Sequence, residues 1–108
     1  MNFANGALTE AVYYILLSLL EPRHGYGIMQ FAEQISGGRV RLAAGTLYGA
    51  INTMLEKGWI EACGNESSSR KKEYVITQTG TAVLLGEIAR LEELAANGRR
   101  LIADAAMV

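Results

Sequence analysis

Gly45-Thr46-Leu47-Tyr48-Gly49-Ala50-Ile51-Asn52-Thr53-Met54-Leu55-Glu56-Lys57-Gly58 runs directly into Trp59-Ile60-Glu61-Ala62-Cys63, and the hydrophobic period changes at that junction. Leu47, Ile51, Met54 and Leu55 recur at helical spacing, which predicts a helix from about Thr46 to Lys57, with Gly58 where a left-handed cap is wanted. Advancing 100° per residue from Leu47, the opposite face carries Gly49, Asn52, Thr53 and Glu56, flanked by Thr46 and Tyr48. That face is small and hydrogen-bonding, with almost no charge.

Downstream, Trp59 to Cys63 and Lys72 to Thr77 read as two short strands around the polar stretch Gly64 to Lys71. The pair is a hairpin whose connection exceeds the usual two to five residues, a length more often functional. Its far side brings Arg70, Lys71 and Lys72 in succession, a cationic run able to face phosphates. Upstream, Gly25 to Ser36 predicts a helix with Ile28, Phe31 or Ala32, and Ile35 on one face, ended by Gly37 and Gly38. From Thr9 to Leu20 the apolar residues leave no polar face: Val12, Ile15, Leu16 and Leu19 make one stripe, and Tyr13, Tyr14, Leu17 and Leu20 cover the rest. A helix of that kind in so small a domain is expected to turn part of its surface to another subunit. Glu21-Pro22 ends it.

Thr77 or Thr79 supplies the N-cap of a last helix. Along it Leu84, Ile88, Leu91, Ala95, Gly98, Ile102 and Ala105 alternate spacings of four and three, the seam of a helix lying along a partner helix. The Asn97-Gly98 pair is its weak link, where a kink or an early end is expected to fall if anywhere.

The 108 residues suffice for one core. Residues 1–80 are expected to form the globular unit and residues 81–108 a dimerisation helix packed on it. One histidine, His24, and one cysteine, Cys63, leave no ligand set for a metal, no intramolecular disulfide and no nucleophile with its base. No cofactor and no enzymatic activity are expected. The apolar run Ala11 to Leu20 is about half the ~20 residues that cross a bilayer, and the start of the chain lacks the features of a secretory signal, so a cytoplasmic location is expected. The fold class that follows is mainly α with a small β element: a winged helix-turn-helix with a long C-terminal helix. In that plan the third helix enters the major groove of DNA and the hairpin tip follows the backbone.

Glu21-Pro22-Arg23-His24-Gly25-Tyr26-Gly27-Ile28, then Gly45-Thr46-Leu47-Tyr48 leading through Leu55 to Gly58-Trp59-Ile60, then Arg70-Lys71-Lys72-Glu73-Tyr74-Val75-Ile76-Thr77 with Gly80, resembles the PadR family of bacterial transcriptional regulators over about residues 8 to 85. The short chain after Gly80 is similar to the subfamily with a single C-terminal helix. Family members often carry proline beside the recognition-helix tyrosine, where this chain has Ala44 before Gly45 and Gly49 after Tyr48. The resemblance implies a dimeric DNA-binding repressor, with Gly45, Thr46 and Tyr48 at the start of the recognition helix and Arg70 to Lys72 at the base of the wing. It also implies that some members respond to phenolic compounds or drugs.

On this basis the expected DNA-binding residues are Gly45, Thr46, Tyr48, Asn52, Thr53, Arg70, Lys71 and Lys72, with Asn52 suited to adenine and a threonine methyl to thymine. Val12, Leu16, Leu84, Ile88, Leu91, Ala95 and Ile102 are expected in the dimer interface. Tyr13, Tyr14, Leu17 and Trp59 are candidates for a pocket between subunits accepting an aromatic or otherwise hydrophobic effector. The expected partners are a near-palindromic duplex, a second copy and such a small molecule. With 10 basic and 11 acidic side chains the net charge is -1, unusual for a DNA-binding domain. Residues 39–72 nevertheless concentrate Arg39, Arg41, Lys57, Arg70, Lys71 and Lys72, which the fold is expected to turn toward DNA. The competing reading is a winged helix that binds another protein and not DNA.

Overall fold

The structure, a computed structural model, describes residues 6–64 and 72–107. In chain order these form α1 (Glu10–Ser18), β1 (Arg23–His24), α2 (Gly25–Ile35), α3 (Ala44–Glu56), β2 (Ile60–Cys63), β3 (Glu73–Ile76) and α4 (Gln78–Ala106). The fold is mainly helical with a small antiparallel sheet. The expected hairpin is present, Ile60 opposite Ile76 and Cys63 opposite Glu73. A third strand joins it: Arg23 pairs with Tyr74 and His24 with Glu73, giving the order β1-β3-β2. A two-residue strand carries no periodic signal, which is why the sequence predicted only two strands.

Each helix is punctuated by identifiable chemistry. The Thr9 side chain accepts from the Val12 backbone N–H at 3.1 Å and starts α1, a cap worth about 1 kcal/mol. At the other end, Arg23 Nε donates to the Ser18 carbonyl at 2.7 Å while its guanidinium lies 4.9 Å from the Phe31 ring centroid. One side chain thus satisfies an orphan carbonyl of α1 and packs on α2. Gly58 closes α3 with φ +74°, the left-handed conformation that only glycine adopts without cost.

The core gathers Ile15, Leu16 and Leu19 of α1, Ile28 of α2, Leu47, Ile51 and Met54 of α3, then Trp59, Ile60, Tyr74 and Leu84. Leu16, fully buried, and Leu84, 4% exposed, belong to this core. Their expected place in a dimer interface is therefore corrected: the protomer itself seals them. Val12, Tyr13 and Leu17 are half-buried and pack against the same cluster.

Thr77 is the junction of hairpin, α3 and α4. Its hydroxyl accepts from the Gly80 N–H at 3.1 Å and donates to the Gly58 carbonyl at 2.6 Å, and its own N–H donates to the Trp59 carbonyl at 2.9 Å. Gly80 is buried so close to that turn that an added Cβ would overlap the Trp59 carbonyl oxygen and sit 2.8 Å from Ile76 Cγ1. From there α4 continues through Asn97 and Gly98 to Ala106, so the expected weak link does not end it.

Glu87 is a buried charge on α4, and both its oxygens are occupied. Arg90 donates Nε to Oε1 at 2.8 Å and Nη2 to Oε2 at 2.7 Å, and the Leu8 backbone N–H reaches Oε2 at 3.3 Å. The chain before α1 is thereby tied to α4. The hydrogen bonds from Arg90 first, and that from Leu8, hold the Glu87 carboxyl below its ordinary pKa of 4.5, against the opposing effect of burial.

Two outcomes test this account. Gly80→Ala should destabilise the fold by about 1 to 3 kcal/mol in urea denaturation, because the obstructing atom is backbone and cannot rotate away. Gly45→Ala, with nothing within 4 Å of the added Cβ, should be neutral or stabilising by up to about 1 kcal/mol. Since the folded Glu87 pKa is depressed, its contribution is present above the unfolded-state value and is lost as pH falls through the folded one. Denaturation followed from pH 7 downward should therefore show a loss of stability below about pH 4.5 that Glu87→Gln diminishes.

Candidate nucleic-acid interface

Helix α3 is held by one stripe, Leu47, Ile51 and Met54, at most 1% exposed. The rest of its circumference is what it presents. Gly45, Thr46, Tyr48, Gly49, Asn52 and Thr53 are all exposed, so the face predicted to be small, uncharged and outward is so in the structure. Its glycines are unobstructed: a Cβ at Gly45 or Gly49 would meet nothing within 4 Å. A helix with such short outward groups can approach the floor of a groove about 12 Å wide.

Individual residues differ in what they have left to offer. The Asn52 amide has no hydrogen-bond partner among the described residues, leaving its donor and acceptor edge free. Thr53 Oγ1 donates back to the Gly49 carbonyl at 3.2 Å, so its proton is engaged while its methyl and acceptor lone pairs remain available. Tyr48, 47% exposed, does more than flank the core. Its hydroxyl occupies the space that a side chain on Gly25 would fill, which fastens the start of α3 to the first turn of α2. Burial first, then the nearby Tyr48, pushes the Tyr74 phenol above its ordinary pKa.

The same first turn of α2 presents Tyr26, 65% exposed. Nothing in the local pattern Gly25-Tyr26-Gly27 signals this exposure, which depends on how α2 packs. His24 takes the cap position of α2 but makes no capping hydrogen bond with its side chain.

The cationic expectation is revised in part. Arg39 pairs with Glu10, and Arg41 with Glu33 at 3.7 Å, so two of the six positive charges counted toward the DNA side are answered within the chain. The Glu10 hydrogen bond, ahead of its charge, raises the Arg39 pKa. Lys72 is exposed beside β3; Arg70 and Lys71 lie outside the described residues. Lys57 sits with its ammonium 5.0 Å from the Trp59 ring centroid.

Of the four residues named as candidates for an effector pocket between subunits, Trp59 borders a groove within the protomer. An open groove of about 320 Å³ runs between residues 7–12 and the flank of α3, with Trp59, Met54 and Lys57 among its lining residues. Gly49 and Thr53, on the outward face of α3, border it as well. Tyr13, Tyr14 and Leu17 do not line it; Tyr13 and Tyr14 instead meet edge to face at 5.6 Å. Burial, with Glu73 and Glu61 after it, pushes the Cys63 thiol up, the reverse of nucleophile activation. Among the described residues no three His, Cys, Asp or Glu side chains stand together as a metal set, and no helix is long and apolar enough to cross a membrane.

A helix pair with an exposed second member, a hairpin beside it and a strand closing the sheet is the architecture of a winged-helix DNA-binding regulator. The chain belongs to the PadR-like family of transcriptional regulators, whose model matches residues 15–85. Known structures are similar along nearly its whole length. RosR of Halobacterium salinarum, an archaeal protein, superposes with TM-score 0.67 at 22% identity, covering 99% of this chain and 100% of that one. A putative transcriptional regulator from Thermoplasma acidophilum gives TM-score 0.63 at 28% identity over 91% of each chain. A PadR family regulator from Eggerthella lenta gives 0.67 at 23% identity over 84% of this chain and 76% of that one. These likenesses support the fold, and with an archaeal neighbour among them they do not single out a bacterial source. No curated protein matches the sequence. The family is one of transcriptional regulators.

The Gly25 and Tyr48 contact gives a test that needs no DNA. In a double-mutant cycle of Gly25→Ala and Tyr48→Ala read by thermal denaturation, the two should couple by at least about 0.5 kcal/mol, because the alanine methyl is obstructed only while the phenol is present.

Proposed function

We propose that the protein is a sequence-specific DNA-binding regulator that acts as a homodimer and represses transcription in the cytoplasm. The observation that carries this reading is the outward face of α3, exposed from Gly45 to Thr53 on a helix whose other side is locked into the core. Two copies of α3, roughly 34 Å apart, enter successive major-groove turns of a near-palindromic operator. Asn52, with Thr46 or Thr53, reads base edges. Tyr48 and Tyr26 meet the backbone beside the first turn of α2, and Arg70, Lys71 and Lys72 follow the phosphates from the wing. Val12, Ile88, Leu91, Ala95 and Ile102 contribute to the dimer, supported by the length of α4 left uncovered by the protomer.

Release by a hydrophobic effector belongs to the same reading. Its support is the groove that touches Trp59 and Met54 on the core side and Gly49 and Thr53 on the reading face. A molecule lodged there changes the surface α3 offers to DNA, which is the differential contact that coupling between two ligands requires.

Electrophoretic mobility shift with duplexes from upstream of the protein's own gene tests the reading. Asn52→Ala should lose about 1 to 3 kcal/mol for the cognate duplex and remove discrimination at one base pair. Lys72→Ala should weaken all duplexes alike and lower the salt slope by about one. Equal losses on every sequence from both changes would contradict this division of roles. A folded dimer that binds no DNA even at low salt would favour the protein-binding reading.

A further inference from the structure

The groove beside α3 is elongated, and its two ends differ in chemistry. Gly49, Ala50, Thr53, Met54 and Lys57 border it. Their spacing places them in a single strip along the helix, about 12 Å from Gly49 to Lys57. Leu8 and Val12 form the facing wall, both packed against the core, and the Leu8 backbone is held by its bond to Glu87. The walls are therefore largely aliphatic, and a volume of about 320 Å³ falls at the small end of ligand sites.

Among the described residues Lys57 is the one charged side chain that lines the groove. Its ammonium joins none of the ion pairs of the described residues and rests instead 5.0 Å from the Trp59 ring centroid. A carboxylate is a better partner for an ammonium than an indole face, because a charge-assisted hydrogen bond adds to the attraction. At the opposite end Gly49 and Ala50 carry no large side chain, and the space above Gly49 is open. A cation at one end, methyl and methylene groups between, and an unobstructed glycine at the other end complement a slim apolar tail with one negative head. Gly49 and Thr53 are also exposed on the outward face of α3, so such a tail and a base edge would claim the same surface.

We propose that the groove binds a straight-chain aliphatic monocarboxylate of octanoate length, its head on Lys57 and its tail over Gly49, and that the bound tail excludes DNA from α3 by direct overlap. The proposal rests on the DNA-binding reading above and adds the class of effector and the way it acts within one protomer.

Trp59 is the single tryptophan of the chain, so its emission reports on the groove in the full-length protein. Titrated below the concentrations at which the probes self-associate, octanoate should give a saturable change. It should bind about three- to fivefold more tightly than 1-octanol, the gain expected of one exposed ion pair, and more tightly still than octylamine. Lys57→Gln should erase the difference between octanoate and 1-octanol, and Lys57→Glu should make octylamine the preferred probe. Equal binding of octanoate and 1-octanol to the unaltered protein, or a preference for octanoate that survives Lys57→Glu, would overturn the placement of the head while leaving release by a neutral hydrophobic molecule standing. Emission that shifts on dilution with no probe present would mean that a second copy covers the groove, and would overturn the site. In mobility shift, the apparent dissociation constant for the duplex should rise linearly with octanoate, as direct competition requires. Octanoate binding with duplex affinity unchanged would overturn the overlap. A protein that binds no duplex before octanoate is added would remove the DNA-binding reading itself, a failure kept separate from that of the site because the emission titration contains no DNA.

Discussion

Leu47, Ile51 and Met54 are sealed in the core that α3 shares with α1, α2 and the sheet, and a helix that buries one stripe has no freedom in which side it shows to solvent. Everything at the reading surface descends from that constraint. The stripe fixes the rotation of α3. Tyr48 then lies over Gly25, the small groups from Gly45 to Thr53 turn outward, and Trp59 emerges at the end of α3 into the core, where its carbonyl receives Thr77. Thr77 in turn starts α4, so the direction of the long helix is set from the same point.

Charge has a secondary place in this arrangement. With a net charge of -1 and Arg39 and Arg41 paired internally, the outward face of α3 is short-armed and carries Glu56 as its one charge. In the proposed reading, affinity for phosphates would rest on the wing, while the face of α3 would contribute shape and hydrogen bonds, a separation that phosphate and base contacts commonly show. The groove against residues 7–12 shares Gly49 and Thr53 with that face, and the segment forming its other wall is tied through Leu8 to Glu87 of α4. Core, reading surface and long helix are thus in physical contact, which is the material that coupling between sites needs.

Much of this was legible in the sequence because the signals were periodic. The α3 stripe, the change to strands at Trp59, the cap at Thr77 and the glycine stop at Gly58 are local and repeat at known spacings. What the sequence did not reveal depends on contacts between distant segments. The strand Arg23–His24 exists because Tyr74 and Glu73 come alongside it. Leu16 and Leu84 lie on the same apolar stripes as residues left uncovered, yet are sealed in the core. The pairing of Arg39 with Glu10 needs the α2–α3 connection folded back on α1. Gly80, counted only as part of a motif, is required by a backbone oxygen contributed by residue 59. The continuity of α4 through Gly98 runs against local propensity, which is where a partner helix has the most to explain.

The account turns on the outward side of α3 being the surface that meets nucleic acid, and amide chemical-shift mapping during titration with an upstream duplex measures this most directly. The account predicts that the largest shifts fall at residues 45–53, with a second group at Tyr26 and Lys72, and that α4 beyond Arg90 is unmoved. Shifts concentrated on α4 or on the Trp59 groove, with residues 45–53 silent, would contradict it.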